Sequence, residues 1–199
     1  MKLRALALVG LVALSLSAVA CSAESSSGAT SSENDIHAST IANLSTAELK
    51  SQLAKAVDGL EYMSEADYPF DVFVAPGQVG ASVDADAIKA AFNDLVSADA
   101  ANGRMALKDM PGSSVHEFED WMSGDTSNVD ESDPDAVKYA KGMARAHDLM
   151  KANLTDLKVV LMAEESLEKT EDVGFLHCFI VGRAKDGSLV ALHTAVVWT

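Results

Sequence analysis

The chain has 199 residues, of which 15 are basic and 30 acidic, giving a formal net charge of −15. Such an acidic chain is repelled by nucleic acid phosphates and anionic lipid and attracted to basic proteins or cations, which disfavours direct DNA or RNA binding. With no Gly-rich phosphate loop, no G-x-S-x-G elbow and no Cys-His pair at a workable spacing, the composition points to a non-enzyme without cofactors.

Residues 1–20 open with Lys2 and Arg4, continue with an apolar run from Ala5 to Leu16 and end in small residues, the anatomy of a secretory signal peptide. The run from Ala5 to Ala20 is shorter than the about 20 residues a bilayer crossing needs. Ala18-Val19-Ala20-Cys21 resembles a bacterial lipoprotein box, which implies acylation of Cys21 after cleavage; the alternative is an ordinary cleaved signal with a free Cys21. Removing residues 1–20 takes away two basic and no acidic residues, so the charge moves from −15 to −17 (13 basic, 30 acidic). Residues 21–40 are Ser, Thr, Ala, Gly and acidic residues with little to bury, a composition that predicts a disordered tether. Residues 41–199 suit one domain with one core. The expected location is extracytoplasmic, lipid-anchored and facing periplasm or exterior. Ser22 after the cysteine gives no inner-membrane retention signal, which favours the outer membrane. With Cys21 lipidated, Cys178 remains alone in an apolar strand pattern, where a buried cysteine acts as a small hydrophobe.

Ser45-Thr46-Ala47-Glu48 reads as a capping box, and Leu49, Leu53, Val57 and Leu60 follow at helical spacing, predicting a helix from Thr46 to Met63. Pro69 stops any helix there, and Phe70, Val72 and Val74 alternate as a strand, so the acidic turn between is expected at a helix-to-strand junction. Asp84 or Asp86 can cap a helix carrying Ile88, Phe92, Leu95 and Val96. A strand is expected at Arg104 to Leu107, a turn at Pro111 to Ser114, and a short helix at Val115 to Met122 with Phe118 and Trp121 in the core. Pro134 suits the first turn of a helix running to Asn153, with Val137, Ala140, Ala144 and Leu149 among its apolar positions. Lys158 to Met162, Phe175 to Arg183 and Leu189 to Thr199 read as strands.

The last two strands flank Lys185-Asp186-Gly187-Ser188, a hairpin turn. Centring it between Asp186 and Gly187 pairs His177 with Val196 and Ile180 with His193, and sets His177 and His193 on opposite faces; a bulge in the turn shifts this by one residue. Both faces are largely apolar, so helices are expected on both sides, giving an α+β, three-layer α/β/α sandwich with a mainly antiparallel sheet.

The histidines, His37, His116, His147, His177 and His193, lack the short spacing of zinc ligands, so no metal site of its own is expected. Asp125, Asp130, Glu131, Asp133 and Asp135 supply hard oxygens for calcium, but the EF-hand spacing and its glycine are missing.

Two segments carry a family resemblance. The first is Met63-Ser64-Glu65-Ala66-Asp67-Tyr68-Pro69-Phe70, with Asp58-Gly59-Leu60 before it and Asp71-Val72-Phe73-Val74 after it. The second closes the chain: Phe179-Ile180-Val181-Gly182, Asp186-Gly187-Ser188-Leu189-Val190-Ala191 and Thr194-Ala195-Val196-Val197-Trp198-Thr199. Together they resemble the nuclease A inhibitor family, small acidic proteins that block sugar-non-specific nucleases. The resemblance implies an α/β/α sandwich and inhibition of a secreted, metal-dependent, sugar-non-specific nuclease by occlusion of its active site. It further implies that Glu65 reaches the partner's metal ion, that Thr199 assists, and that Ser64, Asp67 and Tyr68 form the rim. A carboxylate at a helix C-terminus is disfavoured by the helix dipole, and an external cation would relieve Glu65 of that cost. The middle departs from the family pattern: Val129-Asp130-Glu131-Ser132-Asp133 has no aromatic residue where an acidic-aromatic pair is expected. The alternative is a lipid-anchored structural or interaction protein that keeps the fold without nuclease binding.

Overall fold

The computed structural model describes residues 41–62, 64–77, 82–96, 104–126, 129–167 and 174–198. The signal segment, Cys21 and the tether lie outside the described residues.

Helix α1, Thr46–Ala56, starts on the expected capping box: the Ser45 hydroxyl accepts the Glu48 N–H and the Glu48 carboxylate accepts the Ser45 N–H. Such a cap contributes about 1 kcal/mol. Leu49 and Leu53 are fully buried. The helix stops at Ala56, well short of Met63. Val57 caps it by donating to the Leu53 carbonyl, and Gly59 at φ +62 turns the chain so that Leu60 folds back into the core. A glycine in the left-handed region just past a helix is a common stop, and Asp58-Gly59 carries that signal in the sequence.

The turn is therefore not a helix-to-strand junction. Strands β1, Glu61–Tyr62, and β2, Tyr68–Pro69, pair antiparallel as a small hairpin, with Tyr62 opposite Tyr68, and the acidic turn is its tip. Strand β3, Asp71–Ala75, follows. Helix α2, Ala85–Phe92, is capped by Asp84, whose carboxylate accepts the Ala87 N–H at 2.9 Å. It buries Ile88 and Phe92, whereas Leu95 is 47 % exposed.

Residues 104–106 form no strand, and Leu107–Asp109 make a 3-10 turn. Strand β4, Gly112–Glu117, replaces the turn expected at Pro111 to Ser114 and the start of the helix expected at Val115. Pairing with the next strand overrides the local Pro-Gly signal, which a sheet edge tolerates. Helix α3, Phe118–Thr126, begins at once, with Phe118 buried and Trp121 half-buried against the core. Helix α4, Pro134–Asn153, has the expected bounds, with Asp133 accepting the N–H groups of Asp135 and Ala136. Its buried side runs through Met143, Ala146, Leu149 and Met150, and Ala144 is exposed.

Strands β5, Thr155–Ala163, β6, Gly174–Arg183, and β7, Leu189–Trp198, complete a five-stranded sheet of order β3-β7-β6-β5-β4, antiparallel throughout. Helices α1, α3 and α4 bury Leu161, Cys178, Ile180, Leu192 and Val196 on one face. Helix α2 and the 3-10 turn bury Val160, Met162, Phe179, Val181 and Ala191 on the other. The fold is α+β, and the sheet is covered on both faces.

The β6–β7 register differs by one residue from the symmetric turn. The Gly187 N–H donates to the Ala184 carbonyl and the Ala184 N–H to the Ser188 carbonyl, with Gly187 at φ +89. This is a type I turn followed by a left-handed bulge residue, which adds one position to the loop. His177 consequently faces Ala195 and Phe179 faces His193. His177 and His193 share one face of the sheet, contrary to the expectation from a two-residue turn.

Candidate functional site

The hairpin tip is fastened to the end of β7. The Glu65 N–H donates to the Val197 carbonyl at 3.3 Å, and the Val197 N–H donates to the Ser64 hydroxyl at 3.2 Å. Ser64 also closes the tip on itself, donating to the Ala66 carbonyl at 2.6 Å. Farther in, the buried Thr194 hydroxyl donates to the Tyr68 carbonyl at 3.2 Å, so β2 is tied to β7 as well. The side chain of Glu65 is exposed on this braced support. The two segments singled out in the sequence meet here, and Val197 stands two positions before Thr199, which itself lies outside the described residues, as does Met63.

Because α1 ends at Ala56, Glu65 does not stand at its C-terminal end, and the dipole argument for its cation affinity does not apply. What holds Glu65 is the backbone clamp. Tyr68 is half-buried, its ring edge-on to Phe175 with centroids 5.9 Å apart, so it supports the hairpin from beneath. Asp67 is exposed and faces a groove of about 580 Å³ whose other wall is the segment from Val129 to Tyr139. The middle segment that departs from the family pattern is thus a neighbour of the turn. Trp121 lies elsewhere, on α3, where it leans on His116 with centroids 5.5 Å apart.

The acidic stretch before α4 serves local structure. Asp130 accepts the Ser132 N–H and hydroxyl at 2.9 and 2.6 Å, and the Ser132 hydroxyl, then its N–H, holds the Asp130 carboxyl below its ordinary range. Asp133 caps α4. Among the described residues no three His, Cys, Asp or Glu side chains converge as a metal site.

Sequence reasoning missed the histidine pair. His177 Nδ1 and His193 Nε2 lie 2.9 Å apart, 1 % and 6 % exposed, with His193 stacked on Phe73. One facing nitrogen must donate and the other accept, so both rings cannot carry a proton there. His193 Nδ1 is buried without a partner. Burial, then the neighbouring His177, pushes the His193 pKa down to about 3. Only the bulge-shifted register brings the two rings together. Of the others, His147 stacks on Phe118 and contacts Glu119 at 3.1 Å, His116 is exposed, and His37 is outside the described residues.

A family model described as nuclease A inhibitor-like protein matches residues 47–199, which takes in both core clusters, the hairpin tip and β7. No curated protein matches the chain.

Proposed function

Because the chain belongs to the nuclease A inhibitor-like family, we propose that it inhibits a metal-dependent, sugar-non-specific nuclease by seating the Glu65 turn and the C-terminus in the enzyme's active site. It performs no chemistry in this reading. Glu65 offers an oxygen anion to the nuclease's bound cation in place of a substrate phosphate, an interaction suited to hard oxygen-seeking ions. The observation that supports the proposal is the pair of hydrogen bonds between the turn and Val197, which ties the backbone that carries the exposed Glu65 to the end of β7. Rigid presentation matters because a contact segment that is already ordered avoids the entropy cost of ordering on binding. In this reading Thr199 adds its hydroxyl as an acceptor, and Ser64, Asp67 and Tyr68 shape the surface around Glu65.

The anchoring expected at Cys21 is compatible with this use. The first described residues are fastened to the β6–β7 turn: Thr46 donates to Asp186 at 2.8 Å, and Lys185 donates to Asn43. Val197 is at the other end of β7, a strand of ten residues that spans about 30 Å. In this reading a lipid tether joins the domain at the end of the sheet opposite the Glu65 turn, so that its attachment does not cover the turn.

The test is a titration of the full chain against a metal-dependent non-specific nuclease of the same organism, reading DNA cleavage at saturating magnesium. Stoichiometric loss of cleavage by the wild type, weakened at least about a hundredfold by Glu65→Gln, is expected for a charge-assisted contact at the centre of an interface. Unchanged cleavage at large excess sinks the proposal and assigns the fold to a structural or interaction role.

A further inference from the structure

The groove beside the hairpin has a composition that the Glu65 contact does not use. Its floor is apolar and aromatic: Tyr62 and Tyr139 line it and flank the buried ring of Phe70, with centroid distances of 6.3 and 6.5 Å. Its rim is acidic, with Glu61 and Asp67 on the hairpin side and Asp133 and Asp135 on the α4 side. Asp133 is engaged in capping α4. The carboxylates of Glu61, Asp67 and Asp135 are exposed, and none has a hydrogen bond or ion pair with another described residue. Lys138 is the cation among the lining residues, and its ammonium donates to the Gly59 carbonyl at 3.0 Å instead of bridging the carboxylates.

We propose that this groove receives an arginine side chain of the protein that the Glu65 turn contacts, with the guanidinium between the carboxylates of Asp67 and Asp135 and its face against the tyrosine floor. The inference rests on the reading of the turn as a partner-contact surface and adds the chemistry of the contact beside it. Charge complementarity selects the occupant: a chain of net charge −15 draws in basic partners. The tyrosine floor selects arginine over lysine. A guanidinium is planar, more weakly hydrated than an ammonium, stacks on aromatic faces and binds carboxylates through two parallel hydrogen bonds. The open groove also suits a protruding side chain more than a bare divalent ion, which requires several oxygens converging at one point.

The experiment follows the full chain, isotope-labelled, by NMR during titration with N-acetyl-arginine methylamide, using the uncharged isostere N-acetyl-citrulline methylamide as the comparison. Saturable shifts confined to residues 59–62, Asp67 and 133–139 are expected, with the citrulline probe at least about tenfold weaker, as loss of a charge-assisted pair implies. The double variant Asp67→Asn/Asp135→Asn should weaken the arginine probe at least about fivefold, whereas Asp120→Asn, at an exposed site on α3, should leave it unchanged. Tyr139→Leu should weaken it severalfold with the carboxylates intact. Shifts that scatter over the acidic surface without saturating, equal affinity for citrulline, or indifference to the double variant each overturn the proposal. The probe involves no nuclease, so the outcomes separate: Glu65-dependent inhibition without arginine saturation removes the groove assignment alone, and arginine saturation without inhibition removes the nuclease reading and leaves a basic partner of another kind.

Discussion

The Ser64 hydroxyl accepts the backbone N–H of Val197 at 3.2 Å, while the Val197 carbonyl accepts the N–H of the next turn residue, Glu65, at 3.3 Å. A short hairpin whose two strands carry two residues each has little stability of its own. Its tip becomes a fixed feature by borrowing the end of the central sheet.

Replacing Ser64 with Ala removes the acceptor for Val197 and the bond to Ala66, leaving Glu65 in place. A loss of about 1 kcal/mol in urea unfolding is expected for a half-buried hydrogen bond. Inhibition should weaken by about tenfold, because the turn must then be ordered on binding. A variant that unfolds earlier yet inhibits as well as the wild type shows that the clamp is structural only.

Association with a basic nuclease should be steered by the excess of negative charge. Raising ionic strength from low to about 0.5 M should slow association by at least about tenfold and change dissociation much less, since salt screens long-range attraction more than close contacts. Stopped-flow association rates across salt check this. A flat salt profile removes steering from the mechanism.

The histidine pair predicts an acid limb in stability. His193 has its folded pKa lowered to about 3 against an ordinary 6.5, so below about 6.5 the unfolded chain binds a proton that the folded chain refuses. Stability is then lost as pH falls from 6.5 toward 3, at up to about 1.4 kcal/mol per pH unit. The carboxylates whose pKa values are lowered, among them Asp84 and Asp186 through hydrogen bonds, are shifted in the same direction but from a lower starting value: their contribution is complete above the ordinary carboxylate range and fades only below it. Unfolding midpoints between pH 6.5 and 5 therefore separate the histidine pair from these carboxylates. His193→Phe, placed among Phe73, Phe92 and Phe179, should flatten that slope; equal slopes in variant and wild type would refute the assignment.

Gly142 sets how closely α4 approaches α1. A Cβ there would stand 2.5 Å from the Ala56 carbonyl oxygen and 2.5 Å from a Leu60 methyl group. Gly142→Ala gains about 1 kcal/mol of helix propensity, but the overlap costs about 1–3 kcal/mol and one contact is rigid backbone. A net loss of stability is expected in thermal unfolding, with any displacement felt first in the segment from Ala56 to Leu60 that leads into the hairpin. A stabilised variant would mean that the two helices separate freely.

Much of this protein is readable in its residues because the governing interactions are local. The Ser45–Glu48 box, the Asp84 cap and Pro134 after Asp133 mark helix starts through side chains that bond backbone groups two or three residues away. The apolar character of both faces of β6 and β7 demands two covering layers whatever their details. The segment around Glu65 and the closing strands carry the family pattern by residue identity alone. Misreadings arose where nonlocal pairing competed with local preference. Pro111-Gly112 signals a turn, yet β5 recruits Gly112 into the sheet edge. Asp58-Gly59 signals a stop that the apolar spacing through Leu60 obscured.

Sequence by itself determined the layers, the starts of helices α1, α2 and α4 and the two segments that carry the family pattern, since caps, turns and periodicity act over a few residues. Only the tertiary structure decided that a bulge at Gly187 puts His177 beside His193, that Val197 clamps the Glu65 turn, and that residues 129–139 form the far wall of its groove. Each of these depends on register or approach between segments far apart in the chain, and a one-residue shift in pairing moves every side chain to the opposite face.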